Sequence, residues 1–144
     1  CQKLAEITIP SSVTEIGAEA FKSCRILTSV TLPESITKIE KSAFEFCYSL
    51  TSIEIPNSVN AIGDRAFFGC HCLTSITIPE GVTRIATETF YACPALTSIT
   101  LPASVTEIAR SGLYENLQTI NVPKGMTDHF KQILPEKYHE FIVE

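Results

Sequence analysis

Residues 24–46 read CRILTSVTLPESITKIEKSAFEF, and this 23-residue unit recurs along most of the 144-residue chain. Three residue types keep the spacing of 23: cysteine at 1, 24, 47, 70 and 93, proline at 10, 33, 56, 79 and 102, and phenylalanine at 21, 44, 67 and 90. Self-similarity at one fixed period is typical of solenoid proteins. The spacing therefore predicts a coil in which each copy forms one rung and equivalent residues stack on one another.

The first half of each copy predicts a short β-strand. Apolar residues follow the pattern L-x-x-L-x-L, as in Leu27, Val30 and Leu32, and the last two alternate with Ser, Thr or Glu. This alternation, with mostly β-branched residues, is typical of a half-buried strand. The proline that follows, such as Pro33, lacks the amide donor that would continue a ladder, so it should end the strand. Parallel stacking would place successive strands about 4.8 Å apart.

The second half of each copy carries a different pattern. An apolar pair three residues apart, such as Ile36 and Ile39, is followed by an apolar pair of neighbours such as Ala43 and Phe44. We expect a short extended piece on the first pair and a single helical turn carrying the second. One such unit cannot bury its apolar edge alone, whereas stacked copies bury it as a continuous core.

The last copy departs from the period. Leu113 replaces the phenylalanine, Asn116 replaces the cysteine, and two residues are missing before Leu117. A sixth strand is predicted at TINVP, residues 119–123. Beyond Gly125 two helical segments are predicted, separated by a proline, with apolar faces at Phe130, Ile133 and Leu134 and at Tyr138, Phe141 and Ile142.

The pattern divides the chain into leucine-rich repeats at residues 1–123 and a C-terminal cap at residues 124–144. Terminal repeats expose an apolar face that must be covered, and the tail fits this role. The N-terminal face has no equivalent, and Cys1 already lies inside a repeat. We therefore expect the natural N-terminus to lie further upstream.

Charge and composition disfavour several classes of function. Eleven basic against sixteen acidic residues give a net charge of −5, which counts against nucleic-acid binding. The sequence has no run of about 18 apolar residues, so no membrane insertion is expected. A glycine-rich phosphate loop and a nucleophile with a positioned base are also missing. The expectation is a protein that is not an enzyme and needs no cofactor.

Five of the six cysteines share one phase of the repeat. Their Cβ vectors should be parallel, which is poor geometry for a disulfide, so we predict a ladder of buried thiols. The phase that Cys1 shares with Cys24 explains Cys1 without a lipid anchor. Cys72 lies off the ladder and is predicted to be exposed and reactive. The run Cys70–His71–Cys72 lacks the further ligands of a zinc site, so no metal is expected.

Two surfaces are candidates for ligand binding. The first is the outer face of the strands, where polar residues should form two parallel rows. It is either a solvated face of hydroxyl ladders or a shallow, mildly acidic surface for a protein or glycan, and it lacks the aromatic and arginine anchors of binding hot spots. One row is Glu6, Ser29, Ser52, Ser75, Ser98 and Thr119, and the other is Thr8, Thr31, Glu54, Thr77, Thr100 and Asn121.

The second candidate is an edge near the cysteine turn that carries aromatic residues. By phase, Phe68, Tyr91 and Tyr114 share one row, and Tyr48 and His71 share another close by. These side chains either pack partly against their own loops or form an exposed patch able to hold a partner.

The unit LTSITIPxxVTxIxxxxFxxC, seen in Leu73–Cys93, resembles the 23-residue leucine-rich repeat of the BspA-like (TpLRR) family. The resemblance covers residues 1 to about 123, and the ending VPKG followed by FKQILPEKYHEFIVE is similar to endings of bacterial members. It implies a right-handed parallel coil of the α/β or mostly-β class. This coil would have one parallel sheet of about six short strands, short helical turns on the other side and a helical C-terminal cap.

The resemblance also implies surface or secreted proteins of host-associated bacteria, with some in mucosal protists, several of them adhesins. We therefore expect a monomeric, non-enzymatic interaction module of an extracellular or cell-surface protein, whose partner is a host or microbial surface protein or a glycan. Two alternatives stay open: a spacer solenoid without a ligand of its own, and the binding region of a larger surface enzyme.

Overall fold

The computed structural model describes residues 3–109 and 111–144, so the predictions made for Cys1 fall outside the described residues. The described chain contains short strands, one α-helix, α1 (Thr127–Ile133), and one 3₁₀ helix (Glu136–Phe141). The strands are β1 (Glu6–Thr8), β2 (Glu15–Ile16), β3 (Ser29–Thr31), β4 (Lys38–Ile39), β5 (Ala61–Ile62), β6 (Ser75–Thr77), β7 (Arg84–Ile85), β8 (Ser98–Thr100), β9 (Glu107–Ile108), β10 (Thr119–Asn121) and β11 (Ile142–Val143).

The predicted strands form one face of the coil, which we call the strand face. It consists of β1 paired with β3, and of a sheet in the order β6, β8, β10 and β11, all parallel. Equivalent residues of consecutive rungs pair directly, so Ile76 lies opposite Ile99. The pairing of β8 with β10 is offset by two because two residues are missing before Leu117, and Ile99 lies opposite Ile120.

The third copy lacks the predicted strand. Residues 51–55 belong to neither part of the sheet, although Ile53 is buried as the pattern requires. An open cavity of about 210 Å³ is lined by Ser29 and Thr31 of β3 and by Ser52 and Glu54 of this segment, among others. The strand face is therefore divided into two parts.

A second series of parallel ladders was not predicted as a sheet. The apolar pairs of the second half of each copy form β2, β4 and β5 in one group and β7 and β9 in another. In β4, for example, Lys38 points outward and Ile39 is buried. Extended pieces were predicted at these positions, but only one sheet was predicted. The structure instead has parallel strand pairing on two faces of the coil.

The segments around Ala43 and Phe44 are hydrogen-bonded turns rather than helical turns. The Cys47 N–H donates to the Phe44 carbonyl at 3.1 Å, whereas the Phe44 N–H donates to Ala66 in the next rung at 2.8 Å. Left-handed residues, Ser42 at φ 57° and Phe46 at φ 61°, flank each turn. Such residues cannot propagate a right-handed helix, so each turn stops and bonds to its neighbour.

The core is a column of stacked apolar side chains inside the coil. The rings of the repeated phenylalanines stack face to face at 5.3, 5.4 and 5.6 Å between centroids. Cysteine, leucine and isoleucine rows surround them. The largest fully buried side chains are Phe44, Phe67, Phe90, Phe130, Leu27, Ile36, Ile39, Leu50, Leu73, Ile85, Leu96 and Ile99.

The tail covers the last rung, as predicted for a cap. Phe130, Leu134 and Tyr138 are buried against the core. The helical prediction was wrong for Ile142. This residue lies in β11, where it pairs with Ile120 and adds one strand to the strand face. The short helix ends at Phe141 because the chain then becomes extended to join this ladder.

Candidate functional site: the strand face and the aromatic edge

The strand face presents the two predicted polar rows to solvent. All eight of their residues in the first four rungs are exposed, whereas the four residues nearest the cap are half-buried. Near the cap the Asn121 amide donates to the hydroxyls of Ser98 and Thr100 at 3.3 and 3.4 Å. The rows carry carboxylates at Glu6 and Glu54 and no basic side chain, so the face is hydroxyl-rich and mildly acidic.

A shallow groove of about 330 Å³ follows the ends of these strands. Its walls combine the outward side chains Thr77, Thr100 and Asn121 with the prolines that end the strands. The groove offers hydrogen-bonding groups but no aromatic ring.

The aromatic edge consists of Phe46, Tyr48, Phe68, Tyr91 and Tyr114. Phe68 and Tyr91 stack at 5.7 Å between centroids, and Tyr91 meets Tyr114 edge-on at 5.5 Å. Phe46 contacts Phe68 at 5.4 Å and Tyr48 at 5.8 Å, and so joins the two predicted rows. The structure therefore brings all four predicted aromatic residues into one continuous cluster.

Phe46 was not among the predicted site residues. It occupies the position that is serine in the preceding rung and glycine in the next, so repeat phase gave no signal for it. Tyr91 is 42% exposed, and the other rings of the aromatic edge are half-buried. The cluster thus combines packing with exposed ring surface.

Cations lie over the rings at both ends of this surface. The Arg25 guanidinium lies 5.5 Å from the Tyr48 ring centre, and the Lys137 ammonium lies 4.9 Å from that of Tyr138. Arg65 lies closer, at 4.2 Å from the ring centre of Phe68. These distances are within the range of cation–π attraction.

Glu45 is the principal charged residue that sequence reasoning missed. Its side chain is 3% exposed and lies between Lys22 at 3.2 Å and Arg65 at 2.7 Å. Glu45 shares its repeat phase with Lys22 and Phe68, and this placement of opposite charges 23 residues apart was the available signal. The buried carboxylate fixes Arg65 beside the Phe68 ring.

A notch of about 300 Å³ lies where the aromatic edge meets the cap. Tyr91, Tyr114 and Tyr138 form its aromatic walls, with Pro135 and the Lys137 side chain at its margin. The notch is lined by three tyrosines and joins the repeats to the cap.

The predicted thiol ladder is confirmed for the described cysteines. Cys24, Cys47, Cys70 and Cys93 are free and buried, and Cys72 is exposed. The thiols of Cys47, Cys70 and Cys93 each donate to a phenylalanine carbonyl of the preceding rung, for example Cys70 Sγ to Phe44 at 3.3 Å. Burial raises the pKa of Cys47 and Cys93 to about 12 and that of Cys70 well above its usual range.

Among residues 3–109 and 111–144, no group of three His, Cys, Asp or Glu side chains is placed to hold a metal ion. Neither helix in this part of the chain has the length and apolar character needed to cross a membrane.

The repeat geometry agrees with a known family. The family model for the BspA type leucine rich repeat region matches six copies over residues 1–121. The chain belongs to the BspA-type leucine-rich-repeat family. The predicted resemblance and the leucine-rich-repeat solenoid are thus confirmed, and leucine-rich-repeat solenoids are typically interaction scaffolds.

Solved structures of bacterial leucine-rich-repeat proteins are similar to this BspA-type chain. The T. pallidum leucine-rich-repeat protein TpLRR is 25% identical with a TM-score of 0.69, and the match covers 92% of this chain and 72% of that one. A leucine-rich-repeat protein from Bacteroides ovatus ATCC 8483 is 32% identical with a TM-score of 0.67, over 85% of this chain and 40% of that one. One from Eubacterium ventriosum ATCC 27560 is 31% identical with a TM-score of 0.72, over 83% and 32%.

The BspA-type chain therefore spans less than half the length of the last two of these proteins. A comparison with curated proteins gives no match.

Proposed function

We propose that this BspA-type repeat region is a non-enzymatic protein-interaction module of an adhesin-like protein, and that it binds its partner through the aromatic edge. The observation that carries the proposal is the contiguous cluster of Phe and Tyr rings with Arg25 and Arg65 beside it. Tyr and Arg are enriched among the residues that dominate binding energy at protein interfaces. Contiguous apolar surface that stays accessible, as it does here at Tyr91, is a feature of protein interaction sites.

The strand face supports the proposal less well. Its serine and threonine hydroxyls are already solvated, so a partner gains little by displacing that water. It also lacks large side chains that could fill a partner's pocket. We assign it a supporting part in any contact, at the polar rim.

A location outside the cell or on its surface forms part of the proposal and rests on the family. The partner class that follows is a host or microbial surface protein.

The proposal is tested by measuring binding to a panel of purified host matrix proteins and microbial surface proteins by biolayer interferometry. The edge variant carries Tyr91→Ser and Tyr114→Ser, and the matched face variant carries Ser52→Lys and Ser75→Lys. We expect the edge variant to weaken binding of a panel protein about tenfold or more, as loss of hot-spot residues does, and the face variant to keep its affinity.

Two other results would change the assignment. Loss of binding in the face variant alone would move the site to the strand face. Absence of binding to every panel protein, with the protein folded, would favour the spacer.

A further inference from the structure

We propose that the aromatic edge receives an amphipathic α-helix of the protein partner, laid along the solenoid axis and carrying acidic residues near both ends. This inference rests on the proposed function and names the chemistry of the partner. Three observations support it: the spacing of the rings, the notch at one end, and the positions of the free cations.

The spacing of the rings matches a helical partner segment better than an extended one. Phe68, Tyr91 and Tyr114 follow one another at 5.7 and 5.5 Å between centroids. An α-helix advances about 5.4 Å per turn, so its side chains at i, i+3 or i+4 and i+7 meet successive gaps between these rings. Same-side residues of a strand lie about 6.7 Å apart, and one turn of polyproline II advances about 9.3 Å. Neither of these repeats stays in step with the ring row.

The length of the edge defines the length of the helix. From Arg25 to Tyr114 the surface crosses about four rungs of the coil. At about 4.8 Å per rung this is about 19 Å, which a helix of about 13 residues covers at 1.5 Å per residue. A helix of that length is marginal in water alone, so the partner segment should gain helicity when it docks.

The notch provides the anchor at the cap end of the edge. Its volume of about 300 Å³ lies between Tyr91, Tyr114 and Tyr138. The tyrosine rings, Leu113 and Pro135 give it apolar walls, beside the polar side chains of Ser111, Glu115 and Lys137, so it fits one large apolar side chain of the helix packed against the rings. Anchors seated in such pockets carry much of the energy of protein interfaces.

Charge complementarity predicts which residues lie at the ends of the partner's helix. Arg25 and Lys137 are exposed, lie over rings at opposite ends of the surface, and have no ion pair among the described residues. Lys22 is paired with Glu19 and Glu45, and Arg65 is paired with Glu45 and Glu88. A helix with Asp or Glu near both ends places its charges beside the two free cations.

The test is selection from a displayed library of random 16-residue peptides against the wild-type protein, with counter-selection against the Tyr91→Ser/Tyr114→Ser variant. We expect the surviving peptides to carry apolar residues at i, i+3 or i+4 and i+7 with acidic residues near both ends. Circular dichroism should show that they become helical when bound.

Anisotropy titration of one selected peptide completes the test. The Arg25→Glu/Lys137→Glu variant should weaken binding about tenfold or more and should bind a version of the peptide with lysine ends. Tyr91→Phe/Tyr114→Phe, which keeps the rings, and Ser52→Lys/Ser75→Lys, which alters the other face, should bind as the wild type does. Thermal unfolding confirms that each variant is folded, and the exposed charge-reversal pair tests the proposal even if the serine variants unfold.

Several results would overturn the inference. These are an empty selection, survivors rich in proline or with an alternating strand pattern, affinity unchanged by charge reversal, and edge-dependent binding on a glycan array in place of peptides. Binding of a panel protein that depends on the edge but involves no helix would leave the proposed function standing while this inference fails.

Discussion

Phe44 lies between Phe21 and Phe67, with ring centroids 5.3 and 5.4 Å away, and is fully buried. Its carbonyl accepts hydrogen bonds from the Cys47 N–H and from the Cys70 thiol. The phenylalanine and cysteine rows are therefore one structure, in which each thiol satisfies a carbonyl of the preceding rung. This contact explains why a weak S–H donor recurs where a plain apolar residue would fill the same space.

Replacing Phe44 with alanine should lower the free energy of unfolding by about 3–5 kcal/mol, as truncation of buried phenylalanine does elsewhere. The cavity would separate two stacked rings that cannot close on each other without moving a rung. Chemical denaturation measures the change. Phe46→Ala, at the half-buried aromatic edge, is the control and should lose clearly less. A change below about 1 kcal/mol for Phe44→Ala would contradict a core role for the row.

The thiols should differ sharply in reactivity. Maleimide labelling of native protein, mapped by mass spectrometry, should modify Cys72 rapidly and leave Cys24, Cys47, Cys70 and Cys93 intact. With a pKa of about 12, Cys47 and Cys93 hold about one thiolate in ten thousand at pH 8, and the thiolate is the reacting form. Unfolding in guanidinium should make all four react. Rapid native labelling of the buried four would refute the ladder.

At the scale of single residues, sequence phase predicts the core because a residue that repeats at 23 meets its own equivalent in the next rung. Phe44 and Cys70 are buried for this reason. Glu45 shows where the reasoning stops. Its burial depends on Lys22 and Arg65 in the adjoining rungs rather than on its own type, and a carboxylate is normally expected at the surface.

Among the elements, the strands of the strand face and their parallel pairing were predictable, and the break at the third copy was not. Residues 51–55 have the same apolar pattern as β6, yet they join no sheet. A strand needs a neighbouring backbone at the right distance as well as its own pattern. The turns were predicted as helical because an Ala-Phe pair fits a helix, but the left-handed residues Ser42 and Phe46 direct alternate N–H groups to the next rung.

The cap is closed by a contact that carries no repeat signal. The Glu144 carboxylate accepts hydrogen bonds from the N–H and the hydroxyl of Thr127, the first residue of α1. Met126, which precedes the helix, provides no side-chain cap of its own. Glu144 thus caps the helix that begins the tail.

This contact predicts a pH dependence. Hydrogen bonds from Thr127 hold the pKa of the Glu144 carboxyl below its usual value. A lowered pKa in the folded state stabilises the cap above the pKa of the unfolded chain, and the contribution disappears as the pH falls through the folded value. The protection factor of the Phe130 amide, which corrects for the intrinsic pH dependence of exchange, should therefore fall on acidification more in the wild type than in Glu144→Gln. An equal fall in both would show that Glu144 does not hold the cap.

In the whole molecule, the stability of each rung depends on the rungs beside it, because each copy contacts only its neighbours. Ending the chain after Lys124 would remove Phe130, Leu134 and Tyr138 from the last rung, and burial of each contributes about 1.5–3 kcal/mol. We expect the unfolding midpoint to fall and the amides of β8 and β10 to lose protection against exchange before those of β3 do. Uniform loss along the coil would contradict nearest-neighbour stability.

The candidate surface could be predicted only in part. Phase placed Phe68, Tyr91 and Tyr114 in one row, because equivalent positions must stack. The link through Phe46, the cations over the rings and the notch beside Tyr138 depend on how the turn and the cap fold, and no period describes either. On this surface, the features that repeat could be predicted from the sequence, and those that occur once could not.

The register of one copy between the paired rungs that precede β10 has a consequence for how such a gene can change. A recombination event that adds or removes 69 base pairs (23 residues of three bases) inside the repeats leaves every remaining residue beside an equivalent of its former neighbour. Only the shortened copy with Asn116 and the tail that closes on it must stay together. The number of repeats can then change without loss of folding. Each duplication also adds one more residue to each outward-facing row, and selection for a new partner can act on that residue.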